Sequence, residues 1–464
     1  VTASLGSPER GVVVGAARSA AVAASLRDLG GQRVAWFRIA GGKHHGAIGE
    51  AGGAAAERIV RLATELGVPV VGVLDTSGAE LGEGVVGLHA WGLLARAFAD
   101  ASGVVPTVLV VVGACVSGPA LLLGLVDQVV MTREAFAYVS GPDSVAEFTG
   151  IQVSRASLGG AAMHGNRSGV ASFVVEDESD VEHVVEHVLS YLPSNHLADP
   201  PVAECDDPIE RACERAASVV PDRANASYDV RTLVDDVLDE HTFFELWAGH
   251  AANMVTGIGR LGGRTVGIVA NQPAVRAGTI DIEASSKAAR FVQWCDAFNL
   301  PIVTFVDTPG FEPGKDLEWR GMIRHGAELV HAYAAATVPR LCVVVRKAYG
   351  GAYIVMDSKG VGSDWCAAWP CAEIAVMGAP GAVQILHRRR LDAITDEAER
   401  TREESRLRRE YEQAFSNPYV AASRGLVDEV IEPASTRAVL ARALDQLCTK
   451  REMVVARSHS NTPL

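Results

Sequence analysis

The chain repeats itself, and the repeat restricts the fold more than any composition figure does. Shifting Gly31-Gln-Arg-Val34 by 232 positions lays it on Gly263-Arg-Thr-Val266. Under the same shift Gly46 meets Gly278, Pro69 meets Pro301, and Asp75-Thr-Ser-Gly78 meets Asp307-Thr-Pro-Gly310. Each Asp motif ends an apolar strand, 70–74 or 302–306, and a helical stretch and a proline follow (Pro106, Pro339). A second apolar strand, 109–112 or 341–345, then runs into a glycine turn: Gly113-Ala-Cys-Val-Ser-Gly118 in one half, Ala348-Tyr-Gly-Gly-Ala352 in the other. The halves also end alike, at Gly169–Glu176 and Gly425–Glu432. Agreement at one shift from Gly31 through Gly78 predicts two α/β halves of one ancestry, with largely parallel sheets and right-handed crossovers. The expected boundaries are a first half at 1–196, a Pro-, Asp- and Ala-rich linker with one short helix at 197–228, and a second half at 229–464. Alternating Glu and Arg over Ala393–Phe415 predict a long solvated helix.

The charge balance excludes other classes. A formal net charge of −14, from 56 acidic and 42 basic residues, speaks against a general nucleic-acid binder. The excess of Arg over Lys reads as genomic base composition. Eight scattered cysteines without a CxxC predict free, mostly buried thiols in a reducing, cytoplasmic compartment, with neither zinc nor a disulfide framework. No continuous apolar region in 1–20 suggests a secretory leader. Ala101–Val126 carries no charge and is long enough to cross a bilayer. Pro106, Gly113, Ser117-Gly118-Pro119 and Gly124 divide it, so a buried strand, a turn and a helix start are expected instead.

Most motif matches are local structure. Gly257-Ile-Gly259-Arg-Leu-Gly262 spells the dinucleotide fingerprint, but a strand follows where a helix is needed, so a hairpin turn is expected. There is no GxxxxGK[ST] loop and no GxSxG elbow. His44-His45 has no partner at metal spacing, so no metal site is expected, and His387-Arg-Arg-Arg390 reads as a solvated helix start. The two glycine turns differ from these. A turn from a buried strand into a helix offers unpaired backbone N–H groups to an anion, and can stabilise an enolate without an acidic or basic side chain. Because the device is duplicated, a reaction with two carbonyl-like partners is expected.

At these residues the chain resembles the carboxyltransferase (β) subunits of biotin-dependent acyl-CoA carboxylases, of the acetyl- and propionyl-CoA carboxylase type. The resemblance runs from about residue 30 to 464. It is strongest over Val269–Pro273, Lys287–Phe291, Phe305–Gly314, Ile323–Gly326, Arg346–Tyr353 and Ala375–Ala379, with Thr149-Gly150, Leu158–Gly160, His164 and Ser168–Val170 in the first half and Asn461–Leu464 at the end.

The resemblance implies two tandem crotonase-like halves and a hexamer, with active sites shared between neighbouring chains. It implies acyl-CoA on the first half and biotin on the second. By position, the amides of Ser117 and Gly118 would hold the thioester enolate, and those of Gly351 and Ala352 the biotin ureido oxygen. Carboxybiotin would release CO2 in place, the biotin nitrogen would take the α-proton, and the enolate would attack CO2. Arg58 and Arg61 would meet CoA phosphates or serve as surface helix charge. Ile354 would touch the acyl end, where an apolar residue permits a short chain. Gly78, Ala79, Gly141, Pro142, Gly350 and Tyr353 complete the substrate-binding positions it implies.

Biotin would arrive on a separate α subunit carrying the biotin carboxylase, since the chain has no P-loop and no Met-Lys-Met biotinylation signature. The expected product is malonyl- or methylmalonyl-CoA. A decarboxylase or transcarboxylase of the same fold, and a weakly active scaffold subunit in a mixed hexamer, are the alternatives. Three departures from the family fall in the first half: Glu80 where a positive charge is usual, Ser117-Gly118-Pro119 in place of Gly-Gly-Ala, and a shorter lead-in. Pro119 suits a first helical position, and Ser117 is expected at negative φ with its amide turned into the cavity.

Overall fold

The computed structural model describes residues 21–464 except 43, 222, 224, 225, 451, 453, 454, 457–459, 462 and 464. The N-terminal stretch read for a leader and two positions of the Asn461–Leu464 ending lie outside the described residues. Two compact units are present, and the pieces of chain do not divide at a single point. The first unit runs to Pro201 and takes in Trp247–His250 and Ala297–Asn299. The second holds Val202–Leu246, Ala251–Asp296 and Leu300–Leu464.

In the first unit the strands are β1 (Val22–Leu29), β2 (Gln32–Ile39), β3 (Val70–Thr76), β4 (Thr107–Val116), β5 (Gln128–Thr132), β6 (Phe136–Tyr138) and β7 (Phe173–Val175). They lie in the order β1-β2-β3-β4-β5-β7, and β6 also pairs with β4. Apart from the β1–β2 hairpin, every pairing is parallel. Strands 70–74 and 107–111 are buried on both faces, which explains their unbroken apolar runs. Helices α1 (Glu50–Leu66) and α2 (Val85–Ala101) pack closely because Gly53 has no side chain: a Cβ there would lie 2.7 Å from that of Ala90. Phe37, Leu74, Phe98 and Leu109 fill the core beneath them.

The second unit repeats this plan. Its strands are β8 (Phe244–Leu246), β9 (Met254–Leu261), β10 (Arg264–Asn271), β11 (Ile302–Thr308), β12 (Arg340–Tyr349), β13 (Trp365–Ala368), β14 (Glu373–Ala375) and β15 (Glu429–Val430). The order is β15-β13-β12-β11-β10-β9-β8, with β14 beside β12 as β6 lies beside β4. These are two crotonase-like halves, as the repeat and the resemblance led one to expect.

Several local expectations are met, and two need correction. The uncharged stretch forms β4 and the 3-10 turn Gly118–Gly124; no helix among the described residues is long and apolar enough to cross a membrane. In the GxGxxG segment only Gly262 takes part in the hairpin turn, with Gly263, at φ 59° and 76°. Gly257 and Gly259 sit within β9, where Phe243 and Leu238 occupy the space of a side chain. The arginine-rich helix spans Glu397–Phe415, capped by Asp396, with only Leu407 buried. The first correction concerns the linker. Cys213, Ala216 and Tyr228 are core residues of the second unit. Fully buried Arg437 ties the segment down, donating to the carbonyls of Asp207 (3.1 Å) and Pro208 (3.1 Å) and to the Asp239 carboxylate (2.7 Å). A polar, proline-rich composition concealed a folded segment because its anchor lies some 230 residues away in sequence. The second correction is at Ser117 and belongs to the site.

Candidate functional site: two matching carbonyl-binding turns

The two halves share more than strands. Gly46 and Gly278 sit at φ 73° and 75°, each pressed on the carbonyl of the strand-end aspartate. A Cβ there would lie 2.0 Å from Asp75 O, or 2.5 Å from Asp307 O, so only glycine fits. Thr76 and Thr308 accept through Oγ1 from the amides of Gly78 (3.2 Å) and Gly310 (3.3 Å). Ile48 N donates to Gly78 O (2.8 Å) and Glu80 N to Ile48 O (3.0 Å); Ile280 N donates to Gly310 O (3.1 Å) and Glu312 N to Ile280 O (2.9 Å). A parallel bridge of this kind uses the groups flanking the central residue. The amides of Ala79 and Phe311 are therefore directed away from it, at matching places in both halves.

Facing these loops are the glycine turns. Gly118 opens the 3-10 turn and Gly351 and Ala352 stand in the first turn of the helix Gly350–Val355, positions whose amides have no acceptor within the helix. The Cβ position of Gly78 is 3.3 Å from Ser117 Cβ, and that of Gly351 is 3.6 Å from the Phe311 ring, so in each unit the turn abuts the bridge loop.

Here the expectation for Ser117 fails. Ser117 lies at φ 65°, ψ −146°, and its amide donates to Tyr138 O at 2.9 Å. The cause is β6: its ladder with β4 pairs Val116 with Tyr138, and the next amide continues that ladder. Ser117 thus occupies the place of Gly350 (φ 60°), and Gly118 and Pro119 the places of Gly351 and Ala352. Proline carries no N–H, so the turn of the first unit keeps one amide, that of Gly118. Sequence alignment against the duplicated half, one residue further on, would have exposed this shift.

Below the turns, the aspartates play matching parts with different partners. Asp307 accepts from Lys347 N (3.1 Å) and Arg346 Nε (3.0 Å); the Asp307 and Arg346 side chains are almost wholly buried, and burial pushes the carboxyl up against the pull of Arg346. Asp75 accepts from Ala114 N (2.9 Å), and Gly113 stands where the second unit has Arg346. A Cβ at Gly113 would come within 2.4 Å of Asp75 Oδ1.

Other positions fall as follows. Gly141 and Pro142 line a cavity of about 350 Å³ with Tyr138, Asp143, Ser144, Val153 and Arg155. Arg61 is exposed and pairs with Glu57 one turn back (3.3 Å), and Arg58 is exposed on the same helix. Tyr353 is buried, which raises its phenol, while Ile354 is about two-fifths exposed. Glu80 accepts from Gly82 N (3.0 Å) and from His44 Nδ1 (2.5 Å). His164 is spent on structure, bonding Ser168 Oγ (2.7 Å) and Ala137 O (2.8 Å). The chemistry on offer is backbone donation to a carbonyl oxygen, twice over.

Known proteins are similar to this chain in sequence and fold. The model of the Carboxyl transferase domain family matches residues 14–462. The propionyl-CoA carboxylase carboxyltransferase subunit of Haloferax mediterranei is 46% identical over 420 residues, covering 90% of this chain and 81% of that protein. The methylmalonyl-CoA decarboxylase subunit alpha of Veillonella parvula is 40% identical over 420 residues, covering 90% and 80%. The crystal structure of transcarboxylase 12S, a hexamer assembly with methylmalonyl-coenzyme A and methylmalonic acid bound, superposes with a TM-score of 0.93 at 39% identity, over 96% of this chain and 85% of that one. The chain belongs to the carboxyl transferase domain family.

Proposed function

We propose that this carboxyltransferase moves a carboxyl group between biotin and the α-carbon of a short-chain acyl-CoA, as a β subunit of an acyl-CoA carboxylase. The observation that carries the reading is the duplicated turn: two sets of backbone donors, each built for a carbonyl oxygen. In the second unit the amides of Gly351 and Ala352, with Phe311 beside them, fit the ureido oxygen of biotin. That group, carried in by a partner, supplies carboxyl activated on nitrogen. In the first unit the amides of Gly118 and Ala79 receive the thioester oxygen, and donors fixed in the turn favour charge on that oxygen over the neutral carbonyl. The cavity at Gly141 and Pro142, with Arg155 in its wall, suits the phosphate-bearing part of CoA. Arg58 on α1 adds a further cation on that unit, Tyr353 backs the biotin turn, and partly exposed Ile354 is the residue against which the acyl end would rest. We assign the chain a cytoplasmic place, a homohexameric state and a separate biotinylated partner, in keeping with the biotin-dependent relatives and the hexameric transcarboxylase.

The test is carboxyl transfer by the purified chain from methylmalonyl-CoA or malonyl-CoA to free biotin, followed as release of propionyl- or acetyl-CoA. Transfer dependent on biotin is expected. Absence of transfer with either donor, in a sample that binds CoA esters, would favour the scaffold reading; release of CO2 without biotin would favour a decarboxylase.

A further inference from the structure

The loop that carries Ala79 is closed by an ion pair, and the second unit has an ion pair at the matching two positions, made by an arginine that also binds Asp281. His44 Nδ1 lies 2.5 Å from Glu80 Oε2. At the positions 232 residues on, Arg276 Nη1 lies 3.1 Å from Glu312 Oε2. Both carboxylates directly follow the residue whose amide is turned out of the bridge, Ala79 or Phe311. The loop of His44 is fastened to the same strand end by three more bonds: Ser77 Oγ to His44 O (2.7 Å), Ser77 N to His45 O (3.0 Å) and Thr76 Oγ1 to Gly46 O (2.7 Å). We infer that His44 and Glu80 form a clamp that sets the Ala79 amide against the acyl-CoA carbonyl. The inference rests on the reading above that Ala79 faces the thioester.

An imidazole N–H and a guanidinium N–H can each close such a pair on a carboxylate, so an arginine at position 44 should hold Glu80 as Arg276 holds Glu312. Glu80 is held below the usual carboxylate range first by His44 and then by the Gly82 amide. Around the pair, His45 stands on the same loop, and Glu50 and Glu83 on α1 and the turn after Glu80. The Glu83 carboxylate is occupied by the Glu50 amide at 2.6 Å. His44 is a positioning residue and touches no reacting atom in this account. Its side chain is 64% exposed and that of Glu80 17%, so the clamp is of the modest strength of half-exposed pairs, which sets the expected effect at about fivefold.

The experiment uses the full chain with methylmalonyl-CoA and free biotin, comparing wild type with His44→Ala and His44→Arg. For His44→Ala, kcat/KM for methylmalonyl-CoA is expected to fall about fivefold, and His44→Arg, which returns a donor to Glu80, is expected to recover to within about twofold of wild type. The KM for biotin should not move in either, and thermal melts should show the variants folded. An unchanged kcat/KM in His44→Ala, no recovery in His44→Arg, or an effect confined to biotin would overturn the clamp while leaving the carboxyltransferase reading intact. Failure of wild type to transfer would overturn that reading and the clamp together.

Discussion

Ala352 and Pro119 occupy matching positions, and only Ala352 has an amide hydrogen to offer. Ala352→Pro removes a donor from the biotin turn, and loss of one such donor costs about a hundredfold in kcat or more. Ala352→Gly keeps the amide and should change kcat little; equal, small effects in kinetic assays would remove Ala352 from the site. With Gly118 and Ala79 as the proposed pair of the first unit, Pro119→Ala should raise turnover less than threefold. A large gain would instead mean that the Gly118–Pro119 turn was a damaged two-amide hole. Ser117 supplies the complementary stability measurement. It holds a backbone conformation essentially reserved for glycine, at a cost of roughly 1–3 kcal/mol. Ser117→Gly should therefore raise the unfolding free energy by about that amount in chemical denaturation. No gain would mean that the serine hydroxyl returns the cost through bonds of its own.

Strand ends carry the site because parallel strands all finish on one edge, and the loops beyond them are free to vary while the sheet is not. The aspartates show how the same element is stabilised at different depths. Removing Asp307 leaves the Arg346 guanidinium buried without its carboxylate, so Asp307→Ala should cost about 3–5 kcal/mol. Asp75 is half-buried with Ala114 N as its bond and no arginine at its side. Asp75→Ala should cost only about 1–3 kcal/mol, the usual figure for one orphaned amide. Similar losses in parallel denaturation curves would show that the Arg346 pair is worth no more than the backbone bond it accompanies.

For the molecule as a whole, the chain's two carbonyl turns describe half of a carboxylation. Carboxylation from ATP and bicarbonate should require a biotinylated partner carrying the biotin carboxylase, and reconstitution should restore it. Robust turnover by the purified chain with ATP and bicarbonate alone would contradict the assignment. A sedimentation measurement should find six copies, and a stable monomer active in carboxyl transfer would contradict the hexameric proposal.

Much of this was written into the chain by local chemistry. A shift of 232 residues, read from glycines, prolines and aspartates, was enough to establish two related halves. Those residues stand where backbone geometry admits nothing else, as Gly46 and Gly278 do over their aspartate carbonyls. Apolar runs marked the buried strands, and glycines marked the turns after them. What local chemistry could not decide was which amide is free, because that depends on the partner across the sheet. Ser117 looks like a donor until β6 takes its N–H, and Ala79, a substrate-binding position by resemblance alone, has its amide turned outward by the bridge to Ile48. The segment 197–228 reads as a linker until Arg437, distant in sequence, holds the carbonyls of Asp207 and Pro208 and Cys213, Ala216 and Tyr228 enter the core. Glu80 reads as a misplaced charge until His44 closes on it. Hydrogen bonds and ion pairs between residues far apart in sequence leave little trace in either residue alone, and the folded chain decided each of them.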